Sequence, residues 1–200
     1  MSEFYLWFTT GLQHILDIYG FDHILYIMVL CAAYTFREWR KLLVLVTAFT
    51  IGHSLTLACS AFGILTVKQG VIEIFIPLTI IFTCLYAFLN RHKTVSGFSW
   101  AYILALGFGF IHGLGFSYLL RSMLGHEENV LLPLFSFNLG LEAGQLVVVG
   151  LSLCMSAALD HFFSIKKPVF ITILSTVVLL IAGYVLYNRI NDYNTCVTYL

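Results

Sequence analysis

Six apolar stretches follow one another along this chain, at about 21–36, 42–63, 71–90, 98–120, 131–158 and 168–187, with only short polar gaps between them. A helix that crosses a bilayer needs about 20 apolar residues, within a range of about 17–25. The first window is a little short and the others are long enough. Each gap carries charge or turn residues: Arg37-Glu38-Trp39-Arg40-Lys41, Lys68-Gln69-Gly70, Arg91-His92-Lys93, Gly125-His126-Glu127-Glu128-Asn129 and Lys166-Lys167-Pro168. The pattern predicts an all-α, polytopic transmembrane helical bundle of about six spans, with seven possible. Phe4–Leu16 precedes the first window and is too short to cross alone, so it reads as an interfacial or re-entrant helix, separated from the first span by a break at Gly20. Residues 1–200 then form one integral membrane domain, with no linker, low-complexity tract or soluble appendage.

Composition excludes the other broad classes. The 200 residues are 60% hydrophobic and 10% charged, whereas soluble domains carry roughly 25% charged residues and could not coat a water-facing surface with less. Ten Lys and Arg balance ten Asp and Glu, which removes both a basic nucleic-acid binder and an acidic tail. Cys31, Cys59, Cys84, Cys154 and Cys196 are odd in number and have no CxxC spacing, so they are neither a disulfide framework nor a zinc ribbon. Met1–Glu3 carries no basic stretch and no small-residue cleavage site follows, so no cleaved signal peptide is expected. Arg37, Arg40, Lys41, Arg91, Lys93, Lys166 and Lys167 fall in the odd loops, against Lys68, Arg121 and Arg189 elsewhere. The positive-inside rule then puts the odd loops in the cytoplasm and both termini outside.

Within so apolar a chain, the ionisable residues carry the information. A charge at mid-bilayer costs about 2.5–3.5 kcal/mol even on the lenient insertion scale, so such a residue defaults to a functional role with a partner. Four groups stand out: His14 with Asp17, Asp22 and His23; His53; His112; and Asn138, Glu142 and Gln145. The last three are spaced i, i+4, i+7 and share a helix face, as do His53, Thr56 and Ser60. Counted at about 1.5 Å per residue from the span ends, all four groups fall between the midplane and the outer surface. One shared cavity, open outward, would account for them all. Gly109-x3-Gly113 and Gly140-x3-Gly144 flank His112 and Glu142 and are small-xxx-small patterns that let helix backbones approach closely in lipid.

Neutral imidazoles with carboxylates form a borderline nitrogen and oxygen donor set, suited to Ni²⁺, Zn²⁺, Co²⁺ or Fe²⁺. Each ligating imidazole needs its second nitrogen fixed by a neighbour, for which Asn138, Gln145, Ser54 and Thr56 are candidates. Structural readings compete at each position. A lone buried His is often a hydrogen-bond partner within a bundle, Asp17 would serve equally as a helix cap, and Glu73, His92, His126, Glu127, Glu128 and His161 read as solvated. The last span holds no ionisable Asp, Glu, Lys, Arg or His between Val169 and Asn188 and reads as scaffold. Trp7, Trp39, Trp100, Tyr184 and Tyr187 suit interfacial belts.

Taken together, several motifs resemble the HupE/UreJ family of bacterial membrane proteins, found with hydrogenase and urease loci and regarded as nickel or cobalt permeases. They are His14-Ile15-Leu16-Asp17 with Asp22-His23-Ile24-Leu25, Phe49-Thr50-Ile51-Gly52-His53-Ser54-Leu55-Thr56-Leu57, Phe108-Gly109-Phe110-Ile111-His112-Gly113-Leu114-Gly115-Phe116, and Phe137-Asn138-Leu139-Gly140-Leu141-Glu142-Ala143-Gly144-Gln145. The resemblance implies metal handling by His14, Asp22, His23, His53, His112 and Glu142. Seven residues separate His14 from Asp22, more than the family usually has.

Two functions are expected on these grounds. The first is a multi-pass permease of the bacterial inner membrane for a divalent transition metal, nickel foremost, whose partners are the ion and the lipid bilayer and not nucleic acid. The second is an intramembrane zinc hydrolase acting on a lipid or lipid-attached substrate, with Glu142 as general base and Ser54 orienting the substrate. A scaffold with a merely structural polar core is the third and blandest option.

Overall fold

The computed structural model describes residues 2–18, 20–92, 100–124 and 130–198, with side chains to residue 195. His126, Glu127, Glu128, Lys93 and the Cys196 side chain lie outside the described residues. Among those described there are seven α-helices and no strand: α1 (Glu3–Leu16), α2 (Asp22–Ala32), α3 (Trp39–Ala61), α4 (Gln69–Leu89), α5 (Trp100–Leu124), α6 (Leu131–Phe163) and α7 (Lys167–Thr198). Five of them, α3 to α7, are long and apolar enough to cross a membrane. The first predicted span shrinks to the 11 residues of α2, about 16 Å of helix, which cannot cross alone.

Local chemistry sets the ends. Ser2 caps α1, its hydroxyl oxygen accepting from the Tyr5 amide at 3.4 Å. A capping box of Thr35 and Glu38 turns the chain from α2 into α3 through the short 3-10 helix Phe36–Glu38. Gly63, at φ +71, ends α3 in the left-handed region, where its amide bonds the Ser60 carbonyl. Ser164, at φ 52, makes the tight reversal between α6 and α7.

Contacts fix the directions. Gly11 meets Phe137 and Leu141 while Gly144 meets Leu12 and Ile15, so α1 and α6 are parallel. Phe49 meets Gly109 and His53 meets Gly113, so α3 and α5 are parallel too. Thr79 against His112 and Ile72 against Gly115 make α4 antiparallel to α5. Gly70 on Tyr193 and Glu73 on Arg189 make α7 antiparallel to α4, and His23 on His112 with Tyr26 on Phe108 make α2 antiparallel to α5. Phe137 of α6 lies by His53 while Asp160 lies by Arg37, just before α3, so α6 is antiparallel to α3; hence α1, α2, α4 and α6 run one way and α3, α5 and α7 the other.

This resolves the N-terminal segment. The first helix packs lengthwise on α6, with Trp7, Gly11 and Ile15 buried, and does not lie across the end of the bundle as an interfacial helix would. Helices α1 and α2 run in the same direction, one after the other, as a single interrupted passage of about 21 Å plus about 16 Å. The passages thus number six, the first of them broken. Trp7, expected at an interface, is 3% exposed.

Glycine places the two parallel pairs. A Cβ on Gly109 would run into the Phe49 carbonyl and one on Gly52 into the Leu106 carbonyl; Gly11 and Gly140 stand in the same relation to Phe137 and Phe8. In lipid such contact is driven by close van der Waals packing and not by exclusion of water, which is why small residues line it. The outward faces are apolar, as on α7 with Val177 and Leu180. Cys31 and Cys84 are buried free thiols that fill space between helices.

Candidate metal centre

The interruption between α1 and α2 brings imidazoles from four helices together. His14 ends α1 and His23 opens α2, their ring centroids 4.7 Å apart. His53, from the middle of α3, lies 5.8 Å from His14 and 6.0 Å from His23, and His112, from the middle of α5, lies 4.8 Å from His23. One ligand nitrogen from each of His14, His23 and His53 falls within 4.8 Å of the others. The long His14–Asp22 spacing is thus the loop that lets both rings face the same point.

Burial makes the arrangement notable. His53 is 0% exposed, His112 1% and His23 7%. Nε2 of His14, Nε2 of His23, both ring nitrogens of His53 and Nδ1 of His112 are buried without a hydrogen-bond partner. An unpaired buried polar atom costs about 1–3 kcal/mol, and five in one place are not the pattern of a polar core held together by its own bonds. Phenylalanine rings close the surroundings: Phe116 stands 4.2 Å from His14 and 5.0 Å from Phe137, and Phe49 5.3 Å from His112. Around a tetrahedral ion, imidazole nitrogens sit about 3.4 Å apart. The three nitrogens thus stand at most about 1.4 Å farther apart than a bound tetrahedral ion would hold them.

A cavity of about 850 Å³ leads to this cluster from the end of the bundle where α4 begins and α5 ends. Its wall carries Gln13, His14, Asp17, Asp22, His23, Glu73, His112 and Arg189. Glu73, expected to be solvated, pairs there with Arg189 at 3.1 Å, and Arg189 is also within electrostatic reach of Asp22. The supposed scaffold helix thus contributes a charge to the cavity, because α7 continues well past residue 187. His92 and His161 are exposed.

Asn138, Glu142 and Gln145 do not share this cavity wall. Thr47 donates to Glu142 Oε1 at 2.9 Å and Thr50 to Gln145 Oε1 at 2.7 Å. Thr50 and Thr47 precede His53 by three and six residues, so this polar layer sits about 5–9 Å farther from the cavity mouth along α3. The single cavity expected for all four groups is replaced by two successive layers. Sequence counting missed this because Glu142 is counted from the outer end of its span and His53 from the inner end of its own, and only the hydrogen bond from Thr47 relates the two helices. Asn138 Oδ1 and Gln145 Nε2 are buried without partners. Beyond this layer, a second cavity of about 520 Å³ at the opposite end is lined by Tyr34, Arg37, Ser156, Asp160 and Lys167.

The hydroxyls expected to orient the imidazoles serve their own helices. Ser54 donates to the Thr50 carbonyl at 2.6 Å and Thr56 to the His53 carbonyl at 3.0 Å. The hydroxyl that reaches His112 is Thr79, at 3.0 Å from Nε2. It went unnoticed in the sequence because a threonine in an apolar helix usually satisfies itself on the preceding turn, as Thr83 does.

A family model described as HupE / UreJ protein matches residues 1–189. No curated protein matches the chain, and no solved structure does.

Proposed function

The chain belongs to the HupE/UreJ family, which is associated with nickel and cobalt transport, and from that premise we propose that it is a multi-pass permease of the inner membrane for a divalent transition metal, nickel first. The observation that carries this reading is the group of His14, His23 and His53, buried or half-buried, with one ligand nitrogen from each within 4.8 Å of the others, and with Nε2 of His14, Nε2 of His23 and both ring nitrogens of His53 buried without a hydrogen-bond partner.

The route follows the polar groups in order. The ion enters the larger cavity, where Asp22, Asp17 and Glu73 attract it, and passes to His14, His23 and His53 with His112 alongside. It then moves to the layer of Glu142 and Gln145, and leaves through the cavity beside Asp160. Conduction needs several sites, each strong enough to fill and weak enough to empty; neutral imidazoles followed by a lone carboxylate meet that condition better than a thiolate cage. A site beside a broken helix near mid-membrane is also the recurrent arrangement of secondary transporters. The positive-inside rule orients the larger cavity outward, since Arg37, Arg40, Lys41, Lys166 and Lys167 gather at the other end. With the cell interior negative, the potential favours entry by roughly 2.3 kcal/mol per charge per 100 mV.

The hydrolase reading gains no support. Its base, Glu142, is bonded to Thr47, and Ser54 commits its hydroxyl to the Thr50 carbonyl.

Radioactive nickel uptake into proteoliposomes tests the proposal. Wild type should accumulate nickel under an inside-negative potential and His53→Ala should not. Tightly retained zinc with no flux in either would refute it.

A further inference from the structure

Hydrogen-bond geometry around Thr79 determines which nitrogen of His112 is free. The Thr79 hydroxyl oxygen lies 2.6 Å from the Ile76 carbonyl oxygen. Two oxygens that close must have a hydrogen between them, and a carbonyl has none to give, so the one hydroxyl hydrogen of Thr79 is there. The same oxygen lies 3.0 Å from His112 Nε2. Having no second hydrogen, Thr79 can only accept in that contact, and Nε2 must carry the ring proton. Neutral imidazole holds a single N–H, which leaves His112 Nδ1 as a bare lone pair, and that atom is buried without a partner.

We propose that Thr79 is a positioning residue that holds His112 in the Nε2–H tautomer and so leaves Nδ1, on a ring that stands beside His23 at 4.8 Å and just outside the close group of three, as a further donor that joins the ion gathered by His14, His23 and His53. The inference rests on reading the histidine group as an ion site and adds to it a supporting contact from α4, a helix with none of the four imidazoles. Outer partners of this kind fix ring orientation and raise ligand basicity, and their loss typically weakens binding by about 10- to 100-fold. A purely structural threonine would be satisfied by Ile76 alone. The additional imidazole contact, with an orphaned nitrogen on the far side of the same ring, is what that role does not explain.

The test titrates the purified full-length chain with Ni²⁺ for affinity and with Co²⁺ for its visible spectrum, which reports coordination. Thr79→Val keeps the side-chain shape and removes the acceptor; it should weaken Ni²⁺ binding about 10- to 100-fold and change the Co²⁺ bands. Thr79→Ser should restore both, which excludes a folding defect. In a His112→Ala background, Thr79→Val should have no further effect. Wild-type affinity and spectrum in Thr79→Val, or additive losses in the double variant, would overturn the role of Thr79 while leaving the ion site standing. Failure of wild type to bind either metal would overturn both readings.

Discussion

Gly113→Ala tests whether the helix pairing sets the position of His53. A Cβ built on Gly113 stands 2.5 Å from the His53 carbonyl oxygen, 3.0 Å from its Cα and hard against the Thr56 hydroxyl. Thr56 can rotate, but the His53 backbone cannot step aside without moving α3. The oxygen contact is roughly 1 Å short of van der Waals distance, so α3 and α5 must part there by about that much. The imidazole of His53 moves with its backbone, away from His14 and His23, whose nitrogens are already up to 4.8 Å from it. Overpacking of this size destabilises by about 1–3 kcal/mol, which leaves the protein foldable. Nickel affinity should fall by roughly 10- to 100-fold, the range seen when the support of a ligating histidine is disturbed. The assay is competition against a chromophoric chelator in detergent, with melting temperature recorded on the same sample. Gly183→Ala is the control: nothing lies within 4 Å of its would-be Cβ, so affinity should be unchanged and stability should rise by about 0.5–1 kcal/mol. Nickel affinity within twofold of wild type in Gly113→Ala would refute the claim that this contact positions the site.

Glu142→Gln should leave equilibrium nickel binding at the histidines within a fewfold of wild type and cut proteoliposome flux at least tenfold, because Glu142 bonds Thr47 in the second layer; equal losses in both assays would contradict two layers. Arg189→Ala removes the cation beside Glu73 and Asp22, so initial uptake at low nickel should rise, more so at low salt than at high salt. Nickel at about 100 times its Kd should stabilise the folded chain by about 2.7 kcal/mol, raising the melting temperature by roughly 5–10 °C, with His53→Ala showing no such rise and a chelator abolishing it in wild type.

The long apolar helices were legible because lipid demands a length and an apolarity that water does not: the windows at 42–63, 71–90 and 98–120 differ by a few residues from the helices Trp39–Ala61, Gln69–Leu89 and Trp100–Leu124. The imidazoles were legible for the same reason, since His53 and His112 stand out in a run of leucine and phenylalanine. Gly109, Gly113, Gly140 and Gly144 announced close packing, but their partners Gly52 and Gly11 form no repeat of their own and emerge only from the pairing of helices. Relative depth was hidden. Counted from opposite ends of their spans, Glu142 and His53 both fall between the midplane and the outer surface, and the hydrogen bond from Thr47 to Glu142 shows them offset. Arg189 and Glu73 were hidden differently: each looks like an ordinary charge at a helix end until α7 is seen lying antiparallel on α4.

On the proposed permease reading, the broken first passage explains why the site would suit a cation that must leave again. The first helix ends at Leu16 just past His14, so its last carbonyls and the negative end of its dipole face the break. At the start of α2 the dipole is positive and would repel a cation, but Asp22 lies in that first turn and offsets it. The balance at the break is therefore mildly negative, without a thiolate and with carboxylates only on the cavity side, while the imidazoles themselves are neutral donors. An uninterrupted helix would offer neither terminus, its peptide groups being bonded to one another. It would also hold His14 and His23 nine residues apart on a rigid rod, about 13.5 Å along the axis, where no single ion could touch both. Interrupting the helix is thus what brings two histidines of one passage together, and in the proposed permease the small local charge that results would permit the ion's release toward Glu142.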